Sequence, residues 1–598
     1  MSEAFPNPAD VDQVFESSPD FSGNPASPSP ARERQFRWGW GLGILVFGVV
    51  TELIVWNFIG QDRTHQVMYS LPIVSGTPFF LLIWWVFFSD VDWATRFLGV
   101  GAVASVCGLF YARYRFDGFE GDMIPRFTKR SEPTADARLA KFLNTQPSSR
   151  PTAASSGDES EAEADPSSAT GSEMPIIEPV DAPWVIDSAK QWYQYRGPAR
   201  DGVVRVVPRD VDWTATPREV WRHPVGAGWS SFATATAFQT KISGDKPFPS
   251  VDYLFTQEQR GEQECVVAYD AETGNQIWVH EDQLRFDEPL GGPGPRATPT
   301  VDGQQVYALG ATGQLNCLDA LTGEKIWATN ILDDAGAKNL NWAMSGSPLV
   351  VGDVVIVNPG KSKAVRTDKN KLKGSGVIAY HRETGTKVWA AGNDPASYTA
   401  PVLATLLGKE QVIIFGGKGP VGHDLDTGKE LWRFRWENEP KVNASIPTLV
   451  DDSSIMISCG YAIGSALLRF SHEDDAWKVT SDWKSKRLKL KFNAPVRKGD
   501  YVYGLDEGIL TCIHLKTGKP EWKRGRYGYG QLLLCGDVVI VQAESSEVAF
   551  VSATPEKYDE LHRFQAIEGK SWNHPVVWNG HLFVRSGEEA ACFDLQAD

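Results

Sequence analysis

Five segments of the chain align residue for residue: AYDAETGNQIW at 268–278, CLDALTGEKIW at 317–327, AYHRETGTKVW at 379–389, GHDLDTGKELW at 422–432 and CIHLKTGKPEW at 512–522. Each reads as a short apolar strand, a turn around Thr-Gly, and a second strand carrying Trp. The glycines (Gly274, Gly323, Gly385, Gly428, Gly518) supply the positive φ that such a hairpin turn requires. Asp270, Asp319 and Asp424 can cap their turns through the side chain, and His381 and His514 stand in that place in two copies. Upstream of these copies, and again near the C-terminus, run segments such as ATPTVDGQQVYAL, GSPLVVGDVVIV, APVRKGDYVYGL and HPVVWNGHLFVR, which read as strand, turn, strand. Proline opens most of them (Pro299, Pro348, Pro401, Pro447, Pro495, Pro575), as suits the first residue of a strand.

One unit is therefore four short antiparallel strands, recurring about every 40–60 residues, which is the pattern of a β-propeller. Blades are counted on the tryptophans of the outer strands. Trp278, Trp327, Trp389, Trp432 and Trp522 belong to the motif, Trp483 marks a degenerate copy, Trp221 precedes the first and Phe564 takes the place near the end. That count gives eight blades, with seven as the alternative. The last segment holds only three strands, and the strand around Trp221 can complete it, closing the ring and hiding both sheet edges. The expected fold is all-β: an eight-bladed propeller of four-stranded antiparallel blades, preceded by three transmembrane helices.

Those helices are read from three apolar runs, about Trp38 to Phe58, Ile73 to Phe88 and Phe97 to Tyr111. Each lies near the lower limit of the roughly 17–25 residues that span a bilayer, and Trp38, Trp84, Trp85, Trp93 and Tyr111 stand toward the ends, where interfacial aromatics gather. A polar tail precedes them, and a Pro, Ser, Ala and Glu-rich stretch with an acidic tract (Asp158, Glu159, Glu161, Glu163, Asp165) follows, too poor in apolar residues to order itself. The expected organisation is a disordered tail over 1–37 and a membrane anchor over 38–115. A juxtamembrane segment and disordered acidic linker over 116–187 lead to the propeller over 188–598. Arg32, Arg34 and Arg37 favour a cytoplasmic N-terminus, whereas Arg113, Arg115, Arg126, Lys129 and Arg130 oppose it. Charge alone leaves orientation undecided. Taking the first helix as dominant, a multi-pass protein of the inner (cytoplasmic) membrane with an extracytoplasmic propeller is expected. The net charge of −16 argues against a nucleic-acid partner.

The unit A-x-D-x-x-T-G-x-x-x-W resembles the pyrroloquinoline-quinone (PQQ) type propeller repeat over residues 188–598. WYQYRGPARDGV at 192–203, IPRF at 124–127 and WNHP at 572–575 are similar to segments of bacterial membrane-anchored PQQ-like proteins. The resemblance implies that Trp278, Trp327, Trp389, Trp432 and Trp522 pack between neighbouring blades; Trp221 and Trp483 are placed with them as structural residues. It implies one of three functions. The first is a non-catalytic binding or scaffold module at the cell envelope with protein partners, akin to the outer-membrane assembly lipoprotein that shares the repeat. The second is a quinoprotein alcohol or sugar dehydrogenase with PQQ as cofactor. The third is a saccharide- or peptide-sensing domain.

The dehydrogenase reading asks for features that this sequence lacks. Quinoprotein alcohol dehydrogenases commonly carry adjacent cysteines, whereas Cys107, Cys265, Cys317, Cys459, Cys512, Cys535 and Cys592 are all separated, and no C-x-x-C-H offers a haem site. Nucleotide, serine-hydrolase and zinc motifs are missing too, so no catalytic residue and no metal ligand is singled out. Residues at the start of each innermost strand should instead gather at one channel mouth: Trp229, Ser230, Arg296, Trp342, Ser345, Tyr398, Asn443, Asn493, Gln531, Trp572, Asn573 and His574. Amides, aromatic faces and one guanidinium suit a planar or saccharide ligand. In the plainer reading they satisfy strand ends and hold channel waters.

Overall fold

The computed structural model describes residues 38–59, 63–89, 91–145, 184–188, 191–239, 250–360, 375–474 and 476–596. The expected disordered tail at 1–37 and the acidic tract of the linker lie outside these residues. The chain divides into two units, residues 1–51 with 73–106 and residues 52–72 with 107–598. The helices are α1 (Trp38–Ile54), α2 (Arg63–Ile83) and α3 (Trp93–Arg113). Gly39–Ile59, Gln66–Phe88 and Trp93–Arg113 are long and apolar enough to cross a membrane.

Directly after α3 the chain forms a hairpin, β1 (Tyr114–Phe119) with β2 (Pro125–Lys129), and then helix α4 (Ala135–Leu143). The disorder expected of the linker within 116–187 does not extend over α4, which is an ordered helix. Thr134 accepts a hydrogen bond from the Ala137 amide at 3.2 Å, a helix N-cap. Leu139 is buried (3% exposed), and the Phe142 ring stacks on His223 at 4.9 Å. A nine-residue helix is marginal alone; packing against the blades holds this one.

Strands β3 (Trp184–Asp187), β4 (Val203–Val204), β5 (Arg218–Pro224) and β6 (Ala233–Gln239) start the propeller. Among the described residues the blades number eight. Five are four-stranded meanders of consecutive strands, over 300–330, 349–391, 402–433, 448–485 and 496–526. The first blade, over 233–282, gains β3 at its inner edge, Trp184 pairing with Gln239, so propeller structure begins four residues before the expected boundary. The seventh, over 531–565, gains the short parallel strand β4. The eighth, over 576–594, is completed by β5, with Trp221 opposite Cys592. The ends of the ring are thus joined by backbone hydrogen bonds, and no open edge remains between the first and last blades.

A side-chain seam holds each blade to the next. The indole N–H of Trp221 donates to Ala271 O at 2.9 Å, Trp278 to Ala320 O at 3.0 Å and Trp327 to Arg382 O at 2.8 Å. Trp389 reaches Leu425 O at 3.0 Å, Trp483 reaches Leu515 O at 2.8 Å and Trp522 reaches Thr554 O at 2.9 Å. Five of these carbonyls lie in or beside the Thr-Gly turn of the following blade. Trp432 differs: it faces the degenerate fifth blade, which lacks that turn, and donates to Gln411 Oε1 in its own blade at 2.6 Å. Within the turns Asp270 Oδ1 accepts from the Thr273 amide at 2.8 Å, and Asp319 and Asp424 do the same for Thr322 and Thr427.

Candidate functional site

The ring's axis is closed from one side by WYQYRGPARDG, residues 192–202. Arg196 and Arg200 are 1% and 3% exposed. Arg196 donates to Ala494 O at 3.2 Å and Pro495 O at 2.6 Å. Arg200 donates to Ser347 O at 3.1 Å, Pro401 O at 2.9 Å and also Pro348 O. Main-chain bonds tie Trp192 O to the Thr234 amide and Tyr193 O to the Val301 amide. The segment therefore pins the inner strands of five blades, three through carbonyls that accept from its arginines and two through amides that donate to its main chain. Burial lowers the Arg200 guanidinium to about 10, still charged at neutral pH.

Above this pin lies a cavity of about 530 Å³. Of the twelve residues expected at the mouth, Trp229, Arg296, Trp342, Ser345, Tyr398, Gln531, Trp572 and His574 line it. The other four face the blades. Ser230 accepts from the Gln257 amide at 3.2 Å, Asn443 donates to Gly416 O at 2.8 Å, Asn573 donates to Ser230 O at 2.7 Å, and Asn493 accepts from the Leu505 amide at 3.3 Å. They satisfy strand ends, as in the plainer reading.

Sequence reasoning missed Tyr195, Tyr461, Lys491 and Phe492, which line the same cavity, and Glu544 and Lys570 at its rim. Aligning Phe492-Asn493-Ala494-Pro495 with Trp572-Asn573-His574-Pro575 would have found Phe492. The lysines carry no such signal. The aromatic wall is nearly continuous: Trp229 to Trp572 and Trp572 to Phe492 at 4.9 Å, Phe492 to Tyr529 at 5.5 Å, Trp342 to Tyr398 at 5.7 Å. Two ammonium groups sit on it as cation–π partners. Lys570 Nζ lies 3.9 Å from the Trp572 ring and 5.0 Å from Trp229, and Lys491 Nζ lies 4.7 Å from Tyr529 and 4.9 Å from Phe492. Arg296 pairs with Glu288 at 3.6 Å and donates to Gly292 O at 2.6 Å. Burial lowers Lys570 to about 8 and Arg296 to about 10, and pushes His574 well below its usual range, so that imidazole is neutral. Gln531 donates to Phe492 O at 2.9 Å, and its buried Oε1 has no hydrogen-bond partner among the described residues.

The tip of the β1–β2 hairpin caps this mouth. Lys570 Nζ donates to Phe119 O at 2.7 Å and Lys491 Nζ to Gly121 O at 2.9 Å. Glu544 Oε1 accepts from the Gly121 amide at 2.6 Å and from the Trp572 indole at 2.8 Å, while its Oε2 accepts from the Tyr529 amide at 3.1 Å. Tyr529 OH donates to Asp122 at 2.9 Å. A Cβ on residue 121 would run into the Tyr529 ring and sit 2.9 Å from Glu544 Oε1.

The donor set does not fit the hard-cation half of a quinoprotein centre. Among the described residues no three His, Cys, Asp or Glu side chains gather as a metal site. A calcium ion needs several oxygen ligands, and both oxygens of Glu544 already accept from N–H groups. The seven cysteines are free, six of them buried singly in the blades.

A family model described as outer membrane protein assembly factor BamB (PQQ_2) matches residues 200–375 and 262–524. Outer membrane protein assembly factor BamB of Burkholderia pseudomallei (strain K96243) is 29% identical over 280 residues, 43% of this chain and 73% of that protein. Quinohemoprotein alcohol dehydrogenase ADH IIB of Pseudomonas putida is 30% identical over 289 residues, 43% of this chain and 39% of the dehydrogenase. The crystal structure of BamB from Moraxella catarrhalis matches with a TM-score of 0.41 at 17% identity, covering 63% of this chain and 100% of that one. With the matched stretches taking in most of the repeats and more than half of the chain, this protein belongs to the PQQ_2 family, that of outer membrane protein assembly factor BamB.

Proposed function

We propose that this protein is a membrane-anchored, non-catalytic binding or scaffold module of the cell envelope, with its propeller outside the cytoplasm. The observation that carries the reading is the state of the mouth. The carboxylate at its rim, Glu544, accepts three N–H donors, and Lys491 and Lys570 donate to main-chain carbonyls. Groups so engaged hold polypeptide in place, and none of these three acts as a free base beside a metal site. The name of the assembly-factor relatives supports a scaffold role, and the three apolar helices support an anchor in the inner membrane.

A second reading, a PQQ-dependent alcohol or sugar dehydrogenase, is favoured by one observation. Arg296, Lys491 and Lys570 stand around aromatic walls that suit a flat polyanion. The lack of a calcium donor set among the described residues weighs against it. Full-length protein purified in detergent is expected to retain a stable protein partner and to show no alcohol-dependent dye reduction after addition of PQQ and Ca²⁺; turnover under those conditions sinks the binding-module reading. Calorimetry gives the companion test: the double substitution Arg296→Ala/Trp572→Ala is expected to abolish any binding of PQQ or an oligosaccharide to the cavity, and unchanged binding removes the site assignment. A reporter fused to the C-terminus reads the membrane side.

A further inference from the structure

The cap over the mouth is held by its main chain. Two lysines on the aromatic wall donate to the carbonyls of Phe119 and Gly121, and Glu544 accepts the Gly121 amide between them. Opposite the glycine, the Tyr529 ring leaves no room for a Cβ. The flanking Asp122 is recognised by Tyr529 OH at 2.9 Å. A bracket of ammonium, carboxylate and ammonium, one to each of three successive peptide units, matches the alternation of carbonyl and amide along a polypeptide, and a contact that admits only glycine selects a sequence. Saccharide or quinone offers no such alternation. The hairpin tip thus occupies the mouth as a peptide ligand does, bound in cis.

We infer that the propeller mouth is a peptide-recognition site for a partner protein's loop that presents glycine next to an acidic residue, and that the β1–β2 hairpin is its resident intramolecular occupant. The inference rests on the binding-module reading and names the partner class for that site. A tethered occupant competes at an effective concentration on the order of millimolar, so a partner loop reaches the site only by displacing the hairpin. Residues before Tyr114 belong to α3, so displacement acts on the segment that leads directly out of the third apolar helix.

The test uses the full-length protein in detergent and a fluorescent synthetic peptide spanning residues 114–129. Gly121→Leu in the protein unseats the tip, and the variant is expected to bind the wild-type peptide at least about tenfold tighter than the wild-type protein does, because the tethered competitor is gone. The same substitution in the peptide removes binding, as do Lys491→Met and Lys570→Met together in the Gly121→Leu protein. Equal affinity of both proteins, no binding to the variant, or binding that survives loss of both lysines overturns the inference. Hydrogen exchange provides a reading without peptide: Gly121→Leu should speed exchange over 117–129 while the blade strands stay protected, and unchanged protection of the tip overturns it. Peptide binding reports on this inference alone, whereas partner retention and dye reduction report on the proposed function, so the two fail separately.

Discussion

Gly323 shows how the repeat motif works between blades and not only within one. Its φ is +74°, which an L side chain rarely adopts, and a Cβ there would lie 2.5 Å from the Trp278 ring of the preceding blade. Thr-Gly and Trp in the motif are thus partners across a seam, each copy's glycine receiving the previous copy's indole. Gly323→Ala is expected to destabilise the propeller by about 2–4 kcal/mol, combining left-handed strain with overpacking, measured by denaturant unfolding. Lys570 gives the second expectation at this scale. Burial depresses its pKa to about 8 from the ordinary lysine value of 10.5. In the window between these values the unfolded chain binds the proton that the folded chain releases, so stability rises with pH across it. The penalty for burying the ammonium is fully present below about 8 and gone above the unfolded value. Lys570→Met lacks this term, so the stability of wild type relative to Lys570→Met should climb between pH 8 and 10.5; a flat difference refutes the assignment.

At the scale of elements, those that the sequence left unmarked are the hairpin and α4. Neither carries a repeat signature, and the composition around them reads as a tether. Both are held by contacts to distant parts of the chain: Arg138 pairs with Glu588 at 2.5 Å, Arg126 with Glu588 at 4.0 Å, and Phe142 lies flat on His223. Local propensity cannot report such partners, because they are about 80 to 450 residues away. Phe142→Ala should release α4, read as faster hydrogen exchange over 134–144, while the global unfolding midpoint moves by less than about 1 kcal/mol equivalent, since α4 lies outside the blades. A large loss of global stability would show that α4 is part of the propeller core.

At the scale of the whole molecule, blade number and closure were legible from spacing, and the Trp seam followed from the resemblance of the repeat to the PQQ-type propeller unit. A four-stranded unit repeated eight times buries its faces only against copies of itself, and a three-stranded last blade demands a strand from the start of the propeller. The three apolar helices were equally plain, since length and hydropathy are properties of a continuous stretch. Of the ring at the mouth, the positions were legible and the directions were not. Trp229 and Trp572 face the cavity while Ser230 and Asn573, one residue on, face the blades, and that choice depends on how each strand enters its sheet. The sequence by itself determined the repeating architecture, because periodic burial follows from periodic residues. Only the tertiary structure decided what fills the axis and the mouth: Arg200 seeks carbonyls of separate blades, and Gly121 fits where Glu544, Lys491 and Lys570 converge from loops far apart in the chain. Convergence of that kind is set by ring closure, and no local stretch of residues encodes it.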